Sequence, residues 1–546
     1  LGLIAVASAT WLYARSQAAA PIRFERLTYQ QATLDDAYFL PGGRGILGSS
    51  IDNAAADPFS PLTVQLDTPG SQPYPVRFDH VWAVSTDQAA VALNRHIISA
   101  YEFAGTLALM PLNGGAPRPV LENIEFADFL PGSSDDSKLL ISRFHPDARQ
   151  CTLEYPIGHV LYRTGGWIGQ PRFSRDGQRI AFLDHPMPGD DNGQAAVVDL
   201  AGHERTLGPH FVETQGLAWS PDGHEVWYTG GDSTQSNLYA VSLSGRNRLL
   251  LSAPTGLNLE DVLPSGQALI RSQDKRLSMM VVTPDHPQPR DFSVLDWPYT
   301  AAGSADGKIF LIGDQDAGPD YATYLRAADG SPPVRLGSGD PWDLSPDGQW
   351  ALSAMPGAVV QLWLLPTGAG SPRQLTRGDI SWQRAIFLPD GRGVVGFGNQ
   401  AGHSLRTYAV DWNGQVRPVT PEGVLGHVAT PDGKDVLGVT GAQAALYPLA
   451  GGAPRPVAPG FAWRGVGPLR FSDSHTLLAQ QFGSGGALQV FSLDLNSGAR
   501  QNRFTLPFPG PGSSPPTLST ISSDANSYAF KYFRQLDTYY LVTGLK

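Results

Sequence analysis

The chain has 546 residues, 16% of them charged, with a net charge of −11, 61 glycines, 46 prolines and a single cysteine. That length is enough for two domains. The charge balance, without any basic block, excludes duplex nucleic acid as a partner, because phosphate binding needs clustered Lys and Arg. Cys151 on its own excludes an internal disulfide framework and a cysteine-based zinc site.

The sequence opens on an uncharged, mostly apolar run, Leu1 to Ala14, with Arg15 after it and then Ser-Gln-Ala-Ala-Ala-Pro. Fourteen residues fall short of the roughly 20 that cross a bilayer as a helix. Two readings compete. One makes residues 1–16 the C-terminal part of a single membrane helix, with Trp11 and Tyr13 near the interface and 17–22 as a linker. The other is a signal-peptide core with Ala18-Ala19-Ala20 as its cleavage site. The missing basic segment and the position of Arg15 favour the membrane helix. A buried strand or helix is the third alternative.

From Ile22 onward the chain is built on a repeat. Its clearest copy is Gly216-Leu217-Ala218-Trp219-Ser220-Pro221-Asp222-Gly223, followed by the alternating segment Glu225 to Thr229. Proline presets φ for the turn, aspartate hydrogen-bonds the adjacent backbone, and glycine accepts positive φ. Related turns are centred on residues 40, 85, 130, 174, 220, 263, 304, 345, 388, 430, 472 and 522, spaced by 41 to 50 residues. Repeats of this length, each with four short alternating segments, are the signature of propeller blades. The sequence therefore predicts an all-β protein of twelve four-stranded blades. Twelve exceed the usual four to eight of one ring, so two six-bladed β-propellers are expected. The simplest division is 23–297 and 298–546.

The twelfth repeat reads as three strands, Thr517 to Ser522, Tyr528 to Phe533 and Tyr539 to Thr543, with no fourth. The first extended segment, residues 22–28 (Ile-Arg-Phe-Glu-Arg-Leu-Thr), reads as a free outer strand and is expected to close that last blade, hiding an edge that would otherwise invite pairing. If it does, the two rings are either sequential or nested, one inserted into the other.

Candidate binding residues gather in the fourth and fifth repeats. Asp184-His185 and Asp190-Asp191-Asn192 place carboxylates and an amide within a few residues, in the loop between the second and third strands. A polar-ligand or hard-cation site is one reading, although the spacing is not that of an EF-hand, and a solvated loop is the other. Trp167 and Gln170, with Gln215 from the next blade, lie on or beside innermost strands, where aromatic rings and amides suit a sugar or peptide. Trp219, Trp297, Trp342, Trp382 and Trp463 recur at comparable places, which points to packing between blades. Catalytic motifs are absent from the sequence: it has no Gly-x-Ser-x-Gly, no Walker A loop and no His-Glu-x-x-His. No catalytic residue and no metal site are assigned, and whether the chain is an enzyme stays open.

The Ser/Leu-Pro-Asp-Gly hairpins resemble the TolB-type, WD-like propeller repeats of bacterial envelope proteins. Between Leu153 and Tyr228, the segments LEYPIGHVLYRTGGWIGQPRFSRDGQRIAFLDHP, AAVVDLAGHERTL and GLAWSPDGHEVWYTG resemble the extracytoplasmic region of receptor-type bacterial serine/threonine protein kinases. That resemblance implies a single-pass inner-membrane protein with its propellers in the periplasm, acting as a sensor or protein-interaction module for a cytoplasmic kinase domain. The kinase signatures are not in this sequence, so ATP and Mg²⁺ are implied only for that other domain and no cofactor is expected here. A protein or a small polar ligand at a propeller face, and the membrane, are the expected partners. A TolB-like periplasmic scaffold without a kinase, and a hydrolase or lyase working at a propeller mouth, are the alternatives.

Overall fold

The computed structural model describes residues 21–30, 32–52, 55, 58–98, 102–146, 150–187, 189–232, 235–295, 297–314, 317, 321–355, 359–400 and 402–546. The expected membrane segment, residues 1–16, lies outside them. Among the described residues no helix is long and apolar enough to cross a membrane. The architecture is all-β, built from antiparallel sheets that are mostly four-stranded and follow the repeat.

The turns form as their residues dictate. In Ser220–Glu225 the Ser220 hydroxyl donates to Asp222 Oδ1 (2.6 Å) and accepts the amide of Glu225 (3.0 Å), while the amide of His224 donates to the same aspartate oxygen (3.1 Å). The amide of Gly223, at φ +73°, closes the turn on the Ser220 carbonyl. The same network recurs at Ser174/Asp176 and Ser345/Asp347. Serine at the first position and aspartate at the third thus satisfy backbone amides that the hairpin leaves unpaired.

Two compact units divide the chain. The first gathers the described residues up to Asp52, those from 58 to Lys275, and Gln535–Lys546; the second holds Arg276–Arg534 and Ala55. The division after Trp297 suggested by the repeat spacing is therefore not where the units part. In the first unit, four strands from Thr33–Phe39 to Thr68–Pro73 make one sheet. A seven-stranded sheet follows, because two repeats are fused. Arg118–Phe129 runs as one long strand whose start pairs with Phe103–Pro111 and whose end pairs with Leu139–His145. Two further four-stranded sheets begin at Trp167–Phe173 and Glu213–Trp219. The innermost strands Thr33–Phe39, His80–Val84, Arg118–Phe129, Trp167–Phe173, Glu213–Trp219 and Gly256–Val262 pack in that order, and the last meets the first.

The sheet of Gly256–Val262 joins the two ends of the chain. It continues through Ala268–Thr283 and Tyr528–Thr543 to Arg23–Arg26. The N-terminal strand pairs antiparallel with the C-terminal one, Arg23 opposite Thr543 and Arg26 opposite Tyr540. The pairing with the last strand is as expected, but the blade around it is not. Tyr528–Thr543 is one unbroken strand of 16 residues. No Gly or Pro lies between Phe533 and Tyr539, so nothing there makes a turn. Its first half pairs with Thr517–Ile521 in the second unit. Ala268–Thr283, equally free of Gly and Pro, likewise ends in the second unit, paired with His286–Asp291. In the second unit, sheets that begin with Pro298–Gly303, Asp340–Leu344, Ser381–Phe387, Leu425–Ala429, Val466–Phe471 and Thr517–Ile521 pack in succession, and the last meets the first.

Apolar cores fill the spaces between neighbouring sheets. Ala181, Leu183, Ala195 and Val197 of one sheet meet Leu217, Trp219, Val226 and Tyr228 of the next. Alternation along each strand gives both faces an apolar set.

Candidate functional site

The innermost strands share one irregularity. Each of five in the first unit shifts register once against its neighbour, between Leu34 and Ala37, Val81 and Ala83, Gly169 and Arg172, Gln215 and Leu217, and Leu259 and Asp261. A bulge of this kind leaves an amide without its ladder partner and re-aims the side chains beside it. Side chains of neighbouring strands take up amides at two of these bulges and at two positions just beyond them. The amide of Gly216 donates to Gln170 Oε1, that of Ala37 to Glu260 Oε2 (3.1 Å), that of Phe39 to Asp261 Oδ2 (3.1 Å) and that of Phe173 to Asp128 Oδ2 (2.9 Å). Gly216 has φ +69°, and a Cβ there would stand 2.4 Å from Asn258 Oδ1 and from the Leu259 nitrogen, so no other residue fits.

Around these bulges lies a buried cluster of charge. Arg271 donates to Glu260 Oε1 (2.7 Å), to Asp36 Oδ1 (3.2 Å) and to the carbonyl of Leu34 (2.7 Å), with Asp537 Oδ2 at 4.0 Å. Asp537 in turn accepts the amide of Leu34 (2.8 Å). His80 and Arg95 both reach Asp35, at 2.8 and 2.5 Å. Burial raises the Glu260 carboxyl to about 8 despite Arg271, and raises Asp537 to about 6. Asp35 is also fully buried, yet Arg95, His80 and Arg271 outweigh the loss of water and hold it well below the usual carboxylate range. Arg172 lies over the ring of Tyr38, 4.4 Å from its centroid, and donates to the carbonyl of Trp82 (3.2 Å).

The residues singled out in the sequence fall into three groups. Trp167, His185 and Asp190 form a packed knot. The indole and imidazole rings stack at 3.6 Å, the indole N–H donates to the Asp190 carbonyl (2.8 Å), and Asp190 Oδ1 accepts the amide of Asn192 (2.8 Å). His185 is fully enclosed; burial lowers its imidazole to about 3, so it is neutral. Gln170 is a bulge residue at φ +43° that binds the Gly216 amide and donates to Asp36 Oδ2 (3.4 Å). Asp184 is drawn to Tyr162 of the preceding blade, and burial raises its carboxyl. Asp191 and Gln215 do come together across two blades: Gln215 Nε2 donates to Asp191 Oδ2 (3.2 Å), and the Thr214 amide donates to the Asp191 carbonyl (2.9 Å). Burial and the nearby Glu213 raise the Asp191 carboxyl, against the pull of Lys275, whose ammonium pairs with Glu213 at 2.6 Å. Among the described residues, no three of His, Cys, Asp and Glu are placed to hold a metal ion.

Sequence reasoning missed Asp35, Asp36, His80, Glu260, Arg271 and Asp537, as well as Glu213 and Lys275. A signal existed: Asp35-Asp36 and Glu260-Asp261 interrupt otherwise apolar innermost strands. Of the recurrent tryptophans, Trp219, Trp342, Trp382 and Trp463 are buried. Trp297 is half-buried, edge-on to Phe533.

No protein-family model matches the chain, and no curated protein matches it. Among solved structures it is similar to TolB from Acinetobacter baumannii, at 16% identity and a TM-score of 0.32, over 53% of this chain and 78% of that one. A protein described as TolB from Agrobacterium tumefaciens matches at 17% identity and a TM-score of 0.27, over 61% of this chain and 94% of its own. The tricorn protease matches at 11% identity and a TM-score of 0.29, over 91% of this chain and 46% of its own.

Proposed function

We propose that this chain is a non-catalytic, extracytoplasmic interaction module made of two six-bladed propellers, the second inserted into the first. The observation that supports this most is the use made of the innermost polar groups. Gln170, Glu260, Asp261 and Asp128 are spent on amides of neighbouring strands, Trp167 and His185 on each other, and Asp36 and Asp537 on Arg271. Such groups fix the blades in place and leave recognition to the faces of a rigid platform. Gln215, half-buried and bonded to Asp191 of the preceding blade, is the residue proposed to meet a protein or a small polar ligand.

In this reading the apolar run Leu1 to Ala14 belongs to a single-pass anchor, and the module serves a cytoplasmic serine/threonine kinase domain. The wording of Leu153 to Tyr228 supports that assignment. The coding sequence upstream of the Leu1 codon tests it. An open frame with a kinase Gly-rich loop, a His-Arg-Asp segment and the rest of the helix is expected. A start codon a few residues back, with a short basic segment, would leave an exported scaffold without a kinase.

A further inference from the structure

Among the described residues, the large exposed apolar side chains lie well apart in sequence, with one exception. Ile22, Phe24 and Tyr29 are 40, 50 and 61% exposed and fall within eight residues of one another. All of Arg23–Arg26 is exposed, and the strand is the outer one of its sheet. Strand alternation puts Phe24 and Arg26 on one face and Arg23 and Glu25 on the other. Phe24 stands edge-on to Tyr540, with centroids 6.0 Å apart. Arg26 lies 5.0 Å over the Tyr29 ring and is pinned by a bond from its Nε to the Thr28 carbonyl (2.8 Å). The result is an aromatic patch carrying a guanidinium, the composition that settles at the headgroup level of a bilayer. Only seven residues, 15–21, separate the patch from the apolar run. Fully extended they reach about 25 Å.

We infer that Ile22, Phe24, Arg26 and Tyr29 form a contact with an anionic lipid surface, the aromatic rings entering the headgroup layer and Arg26 pairing with lipid phosphate. This rests on the proposal that the apolar run anchors the chain. The contact would hold the rim of the first unit against the bilayer.

Cys151 is buried, so a nitroxide can be attached selectively at an added surface cysteine. The full chain is reconstituted into vesicles of phosphatidylcholine and phosphatidylglycerol, as Phe24→Cys and, separately, as Glu25→Cys. Flotation reports anchoring, and collision with oxygen against an aqueous nickel complex reports the surroundings of each label. The expected result is a ratio of lipid-phase to aqueous accessibility several-fold higher at position 24 than at its neighbour 25. Equal ratios in protein that floats would overturn the contact and leave the anchor standing. A label at 24 shielded from both reagents would overturn it in favour of contact between copies. Failure to float would remove the anchor, and the contact with it.

Discussion

The Ser220 hydroxyl holds its turn from two directions, and it is almost wholly buried. Ser220→Ala removes both bonds and leaves the Glu225 amide unpaired, so a loss of about 1–2 kcal/mol is expected in urea titration. At His224 only the backbone amide takes part in the turn, and His224→Ala should fall within about 0.5 kcal/mol of the parent. Glu260 gives a prediction of opposite character. Its folded-state value of about 8 lies far above that of an exposed glutamate. The folded chain therefore holds a proton there that the unfolded chain releases. The resulting stabilisation is complete below the unfolded value and is lost as pH rises through about 8. Burial and the nearby Asp36 raise the group, and Arg271 and the Ala37 amide pull it down without cancelling the loss of water. Comparing the parent with Glu260→Gln by thermal unfolding from pH 5 to 9 should show the parent losing stability relative to the variant as pH rises. A constant difference would mean that Glu260 does not titrate in this range.

The elements show what could be read from residues and what could not. The Ser-Pro-Asp-Gly turns were legible because their chemistry is local: each group that closes the turn lies within six residues. Residues 22–28 were legible as an outer strand because they alternate and the last repeat lacked one. Tyr528–Thr543 was misread as two strands because the repeat pattern implied a turn that its residues do not make. The bulges were invisible, since a register shift depends on two strands at once. The partners of Arg271 were invisible for the same reason: Asp36 and Asp537 lie 235 and 266 residues away from it in sequence. Candidates chosen for being near one another, such as Asp184 and His185, point to opposite sides of their strand, and only Asp191 and Gln215 meet as a polar pair. The tryptophans belong at this scale too. Trp219 fills the space between two sheets and donates its indole N–H to the Arg172 carbonyl (3.1 Å). Trp219→Ala should destabilise the first unit by about 3–5 kcal/mol in denaturant unfolding. Trp219→Phe, which keeps most of the volume and loses the bond, should cost clearly less.

At the scale of the whole molecule, the first unit is assembled from both ends of the chain, with the second unit's residues between them in sequence. The boundary falls inside two unbroken strands, at Lys275/Arg276 and Arg534/Gln535. Sequence contiguity and structural membership therefore disagree over residues 528–543, and peptide-resolved hydrogen exchange can see the difference. The measurement is made on the parent and on Trp382→Ala, which opens a cavity in the core of the second unit. Residues 528–534 are expected to lose protection with the second unit, while 535–543 keep theirs together with 256–262 and 23–26. Loss of protection across 528–543 as one block, with 256–262 unaffected, would contradict that division.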